Sequence, residues 1–382
     1  MTMIREYRDT LFKININKKN KCICVLKKDL PKVSVIILNY QGKGIIENCI
    51  KSVINNHYQN LEIIFIDNNS TDGSFESAVS ALNSYKDKII IHNETNLGFT
   101  KGYNIGMARA SGQLFLLLNN DVVLDQDSIF NYVKFFENNE NVGLAEGRII
   151  NKIPNIYGYT SNPNIVSIFG LLHEKSAPTE DGQLYSKINR IYSPIGVWPM
   201  IRKDVYEIIG GYDEDFFMVE EIRDLAARVW LSGFEVGYVY DAVVYHIGRL
   251  TGVKKNYGTN ISDMLLFHAT KNSIIFYIKN YQTKTQIKNA IPYTILQIVN
   301  TLFSLVYSGK KDFIIKIKAY FYIIKNYNKI IAKRKVINKL RKVDDKKALQ
   351  TLERVNLTNL YYILSAQKNF KKYRKYKTKE QI

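Results

Sequence analysis

The stretch Leu114–Asp125, "LFLLLNNDVVLD", decides how this 382-residue chain is read. Five apolar residues run into Asn119, Asn120 and Asp121, and apolar residues then resume. Alone, this is either a hairpin turn between two strands or the polar end of a buried strand. The residues upstream choose between them. "VSVIILNY" (33–40), "LEIIFIDNNS" (61–70) and "KIIIHNE" (88–94) are short runs rich in β-branched residues. Such runs suit strands covered on both faces. Between them, "GIIENCIKSVINN" (44–56) places Ile45, Ile46, Cys49, Ile50, Val53 and Ile54 on a helical stripe. "STDGSFESAVSALNSY" (70–85) opens on capping residues and continues as a helix. "GFTKGYNIGMARA" (98–110) reads as a glycine-rich loop entering a helix. Strand–helix alternation at this spacing predicts an α/β fold with a mainly parallel central sheet and helices on both faces.

Sheets of this kind bind ligands at the carboxyl ends of their strands, beside a switch in strand order. Asn39 and Tyr40 end the first strand, Asp67, Asn68 and Asn69 the second, and Asn119 to Asp121 the fourth. Each is an ordinary turn former or cap on its own. Three such ends together predict a nucleotide site. No G-x-G-x-x-G follows the first strand, and no G-x-x-x-x-G-K-[ST] is present, which argues against dinucleotide-binding and P-loop readings.

The bulk numbers bound the rest. Hydrophobic residues make up 46%, enough for a large core. Cys22, Cys24 and Cys49 form no even framework and no metal-ligand spacing, so they are expected to be structural thiols of a reducing compartment. "MTMIREYRDTLFKI" lacks the apolar run and cleavage site of a secretory signal. The net charge of +19 is lopsided: residues 271–382 hold 26 Lys and Arg against 5 Asp and Glu, whereas residues 1–270 hold 28 against 30. A basic tail implies an anionic partner.

The ordered set "VSVIILNYQG", "IIFIDNNSTDGS", "NLGFTKGYNIGMARASG", "LFLLLNNDV", "MIRKDVYEIIGGYDEDFF" and "DLAARVWLSGFEVGYVYDAVVYHIG" resembles a family 2 glycosyltransferase with the GT-A fold, over roughly residues 32–250. Within that family it looks like the rhamnosyltransferase-like branch of surface-polysaccharide synthesis. The resemblance implies an inverting, metal-dependent enzyme with a dTDP- or UDP-sugar donor and a growing glycan or polyprenyl-linked acceptor. Asn39, Tyr40, Asp67 and Asn69 match positions around the base and ribose, and Asn119 and Asn120 lie by the ribose and metal. Asn104 belongs to the same donor set. Lys101 stands where a small residue is usual, and is either a donor-phosphate contact or a solvated lysine. Asp121 matches the metal-ligand Asp, and His246 a histidine by the diphosphate and metal, for Mg²⁺ or Mn²⁺. One Asp suffices, since such ions fill their shells with water and phosphate oxygens.

The pattern breaks at the base. The family element reads Glu-Asp-x-Asp-Leu or Glu-Glu-x-Asp-Leu, and its second acid is the usual base. Here the chain reads "FFMVEEIRDLAARVW", and gap-free matching puts Ile222 at that position. Glu221 takes the role, or a one-residue shift brings Glu220 and Glu221 into the two acid positions, or the protein is a catalytically impaired sugar-nucleotide- or glycan-binding subunit. Glu221 is preferred, with Glu220 second. Asp224 and Arg228 are expected to pair at (i, i+4) on one helix face. Trp198 is assigned to the acceptor if exposed and to the core if buried, whereas Trp230 is expected in the core. Residues 150–190, with weak periodicity, are expected to form an acceptor-facing loop region.

The expected organisation is an extension at 1–31, a GT-A domain at 32–250 and a basic helical region at 251–382. "AIPYTILQIVNTLFSLVYS" (290–308) has no charged residue, and Lys residues then interleave with Ile, Tyr and Phe. Pro292, Gln297 and Asn300 make this a poor membrane span and a better surface helix. The tail is read as associating with an anionic membrane at the inner face of the cell membrane. A hairpin packed on the catalytic domain is a second reading. RNA binding is a third, disfavoured because no nucleic-acid motif is present.

Overall fold

The structure, a computed structural model, describes residues 30–151, 190–247, 261–307 and 309–349, with two-residue ladders at 15–16/22–23 and 165–166/172–173. Cys24 and most of the 1–31 and 150–190 regions lie outside the described residues, as does 350–382.

The apolar runs form β1 (Val33–Asn39), β2 (Leu61–Asp67), β3 (Lys88–His92) and β4 (Leu114–Asn119). Shorter or later strands are β5 (Val122–Leu124), β6 (Val142–Asn151), β7 (Met200–Arg202) and β8 (Glu235–His246). They make one sheet in the order β3-β2-β1-β4-β7-β6-β8-β5. Pairs β3/β2, β2/β1, β1/β4 and β6/β8 are parallel, and β7 runs antiparallel between β4 and β6. Strand order reverses at β1, which has β2 on one side and β4 on the other. Leu114–Asp125 is therefore no hairpin: β4 pairs with β1, while β5 crosses to pair antiparallel with β8.

Helices α1 (Ile46–Ile54), α2 (Ser74–Leu82) and α4 (Ser128–Asn138) cover one face of the sheet. The predicted stripe is what α1 buries, through Ile46, Cys49, Ile50 and Val53. The other face is covered by α3 (Gly98–Arg109), α5 (Lys203–Ile209) and α6 (Glu221–Leu231). The glycine-rich segment departs from expectation. It is helical from Gly98, and its glycines lie within α3. A Cβ on Gly102 would come within 2.5 Å of Leu38, and one on Gly106 within 2.4 Å of Ile36. Glycine at every fourth position lets this helix lie against β1 and β2 at backbone distance.

The tail is helical, with α7 (Ile261–Asn280), α8 (Thr283–Tyr307), α9 (Lys310–Lys325), α10 (Tyr327–Leu340) and the short α11 (Asp345–Ala348). Ile275, Phe276, Tyr281, Ile323, Ile330 and Ile337 join one core with Ile222, Leu225 and Trp230 of α6.

Candidate functional site

Register aligns the three polar strand ends. Asn39 pairs with Asp67 across β1/β2, and Leu38 with Asn119 across β1/β4. A buried network ties them together. Asn39 Nδ2 donates to Asp67 Oδ1 (2.7 Å) and Ser74 Oγ (2.9 Å), and Asn39 Oδ1 accepts from Asn120 Nδ2 (2.7 Å). Asp67 also accepts from the Ser70 amide (2.8 Å) and hydroxyl (2.6 Å), and His92 Nδ1 lies 3.2 Å from its Oδ2. Asn39 and Asp67 are both 0% exposed, and Asn69 beyond them takes a left-handed φ of 60°. Within the protein they brace the strand ends that present Tyr40, Asn69, Asn119 and Asn120, all half-buried.

Asn104 is also engaged within the protein. Its Nδ2 donates to the Tyr212 carbonyl (2.9 Å) and its Oδ1 accepts from the Tyr212 amide (2.8 Å), so it staples α3 to the 211–214 turn. Lys101, one turn earlier, is exposed. Trp198 is not an acceptor platform. It is fully buried, edge-on to Tyr132 with centroids 4.8 Å apart. Trp230 is core, its Nε1 donating to the Tyr192 carbonyl at 3.0 Å.

Beyond β4, Asp121 faces His246 from the end of β8, with Oδ2 to Nε2 at 3.2 Å. The strand pairing that sets His246 opposite Val122 brings them together. Both side chains reach solvent, at 15% and 22% exposure. One carboxylate and one imidazole at an open edge fit a divalent ion that takes the rest of its shell from diphosphate oxygens and water. Among the described residues there is no cluster of three or more such ligands.

Glu221 opens α6. It is 8% exposed and its Oε2 has no hydrogen-bond partner. Burial pushes its carboxyl up to about 7, and the neighbouring Glu220 adds to the rise. Glu220 instead pairs with Arg223 at 2.7 Å; burial still raises its carboxyl, against the pull of that guanidinium. Ile222 turns away, 6% exposed, against Gly196, so the position that looked anomalous is a core position. The predicted Asp224–Arg228 pair forms at 3.0 Å, and Lys279 adds a second cation at 2.8 Å.

Two residues missed in the sequence link these parts. Tyr103 of α3 is fully buried and donates to Asn119 Oδ1 at 3.1 Å. Burial raises its hydroxyl, and the fields of Cys49, Asp121 and Glu221 raise it further. Asn272 of α7 is the other. Phe217, Val219 and Glu220 all have positive φ, from 61° to 70°, a costly backbone for these side chains. Asn272 Nδ2 reaches the carbonyls of Phe216 (3.0 Å), Met218 (2.8 Å) and Val219 (2.7 Å) and holds that turn. Spacing along helix α3 could have flagged Tyr103. Nothing local could have flagged Asn272, which lies in the segment read as tail.

Comparison with known proteins finds a family model that matches part of the chain. Residues 34–209 match the family model Glycosyl transferase family 2. The matched stretch runs from β1 to α5 and stops before Glu220, Glu221 and His246. An uncharacterized glycosyltransferase of Haemophilus influenzae is 35% identical over 115 residues, 30% of this chain and 36% of that protein. The poly-beta-1,6-N-acetyl-D-glucosamine synthase of Staphylococcus epidermidis is 26% identical over 208 residues, 54% of this chain and 47% of that protein. The chain thus spans about half or less of these curated relatives. Among solved structures, GalNAc-T7 with UDP, GalNAc and Mn²⁺ is similar at a TM-score of 0.55 and 18% identity, covering 69% of this chain and 50% of that one. TarS 1–349 of S. aureus in complex with UDP-GlcNAc gives 0.51 and 14%, covering 81% and 87%. The fold is GT-A, with a mostly parallel sheet and a C-terminal helical region.

Proposed function

We propose that the chain is an inverting family 2 glycosyltransferase that moves a sugar from a nucleotide diphosphate, UDP- or dTDP-linked, to a growing glycan or polyprenyl-linked acceptor in surface-polysaccharide synthesis. The observation that carries this is Glu221, a buried carboxyl at a helix start whose Oε2 has no hydrogen-bond partner. A base whose pKa lies near 7 is matched to taking a proton from a hydroxyl at neutral pH.

Tyr40, Asn69, Asn119 and Asn120 line the base and ribose end, held by the Asn39–Asp67 brace. Asp121 and His246 would hold Mg²⁺ or Mn²⁺, which would supply positive charge to offset that of the diphosphate. The acceptor hydroxyl gives its proton to Glu221 as its oxygen bonds to the anomeric carbon, and the bond from that carbon to the diphosphate oxygen breaks. Attack from the opposite side inverts the centre. Lys101, exposed on α3, is assigned to a donor phosphate.

Support for the donor class comes from relatives: TarS was solved with UDP-GlcNAc, and the S. epidermidis relative is a polysaccharide synthase. A screen of UDP- and dTDP-sugars with Mn²⁺ by thermal shift and nucleotide release tests the reading. Stabilisation and turnover by one donor class are expected, and no response to any nucleotide sugar would refute it.

A further inference from the structure

The helix α8 is inside out. Helices on a soluble surface turn their apolar stripe inward. Here, apart from Tyr293 stacked on Tyr277, the inward face is polar. Gln286 Nε2 donates to the Tyr277 and Ile278 carbonyls, both at 2.8 Å. Thr301 Oγ1 and the Tyr320 hydroxyl lie 2.7 Å apart, and Lys316 of α9 donates to the Asn300 carbonyl at 2.8 Å. The outward face carries Ile287, Ile291, Ile295, Ile298, Leu302 and Val306, each 53–74% exposed. At helical spacing these six fall within a sector of roughly 100°. A continuous apolar face of this size marks contact with a non-aqueous partner.

Charge selects the partner. Residues 283–307 contain no Asp or Glu. Lys284 lies in the same helical sector as Ile291 and Leu302. With Arg334 and Arg341 it lines an open cleft of about 390 Å³ whose other walls are Gln282, Thr283 and Asn338; Arg341 is paired with Asp345 at 2.6 Å, so the cleft's net charge comes from Lys284 and Arg334. Lys288 near the same end and Lys310 past the other are exposed. Pairing with a second copy, in either direction, would bring cationic ends together. An anionic bilayer complements both the stripe and its ends. By length and composition alone α8 could cross a membrane. Its polar side is committed to α7 and α9, so lipid has access to one side only, which suits a helix lying in the interface.

We propose that the outer face of α8 lies in the headgroup–acyl boundary of an anionic bilayer, with the Ile287–Val306 stripe among the acyl chains and the Lys284–Arg334–Arg341 cleft against lipid phosphates. The stripe is distinct from the strand-end cluster, so the transferase reading can fail without it. The test is co-sedimentation of the full chain with phosphatidylglycerol vesicles and with phosphatidylcholine vesicles. The wild type binds the anionic vesicles. Ile291→Glu with Leu302→Glu lowers that partitioning at least tenfold, with unchanged circular dichroism and Tm. Lys284→Glu weakens binding severalfold on anionic vesicles only. No binding by the wild type overturns the proposal, as does equal binding by the double variant, which would place the attraction elsewhere in the basic tail. A wild-type dimer in lipid-free buffer that the double variant converts to monomer, with no vesicle binding, also overturns it and assigns the face to a second copy.

Discussion

Glu221 has two consequences at the residue scale. As a base it acts ionised, so turnover should fall as pH drops below about 7, along a one-proton limb. Its raised carboxyl also means that the folded chain holds this proton more tightly than the unfolded one. Its contribution to stability is therefore full below the ordinary carboxylate pKa and is lost as pH rises through about 7. Glu221→Gln should remove turnover yet gain about 1–3 kcal/mol of stability at pH 8 and little at pH 4.5, read by denaturant melts at both values. Asp121→Ala should abolish transfer, and with it any Mn²⁺-dependent stabilisation by nucleotide, in a thermal-shift titration. The strand-end acids were legible in the sequence because polar residues close three apolar runs together, at the strand ends where a sheet of this kind binds ligands. The inward turn of Asn39 and Asp67 was not, because burial depends on neighbours contributed by other strands. Ile222 shows the same limit. A one-residue rotation about a helix decides between cleft and core, and only packing against Gly196 resolves it.

At the scale of elements, the proposed base Glu221 is held by a strained turn and a remote clamp. Three positive-φ residues precede or cap α6, and the three carbonyls gathered by Asn272 hold them in place. Asn272→Ala removes those bonds at about 1 kcal/mol each. It should lower kcat 10- to 100-fold while leaving KM for the donor nearly unchanged, because the nucleotide end rests on β1, β2 and β4. The acidic cluster of α6 behaves differently. Asp224 sits at 0% exposure between Arg228 and Lys279, and Lys279 also reaches Asp213. Nearby cations hold the Asp213 carboxyl well below its usual range, although burial opposes them. Lys279→Met should cost about 3 kcal/mol in urea melts, since it leaves buried carboxylates with fewer cations. The (i, i+4) pair was legible from spacing. The lysine from α7 was not, since 55 residues of chain separate it from Asp224.

At the scale of the molecule, the division of charge drawn from the sequence does not coincide with the division of packing. Strand–helix alternation predicted the sheet and its layers, because hydrophobic period is written locally. The tail's basic composition suggested an appendage, yet α7 and α10 bury Ile275, Phe276, Ile330 and Ile337 in one core with α6. Several of its lysines are internal partners: Lys279, Lys329 and Lys333 all reach Asp213 or Asp215. A chain ending at residue 250 should therefore be insoluble or molten, without a cooperative thermal transition by circular dichroism. On the proposed function, the sheet would hold a nucleotide sugar, α6 would bring a base to it, and the helical region would fix that base from behind. The most direct test is nucleotide diphosphate release by the full chain from its preferred sugar nucleotide and acceptor, wild type against Glu221→Gln at saturating Mn²⁺. The expected result is a loss of at least a hundredfold in kcat with nucleotide-sugar binding retained. Undiminished turnover by Glu221→Gln would contradict the assignment of the base.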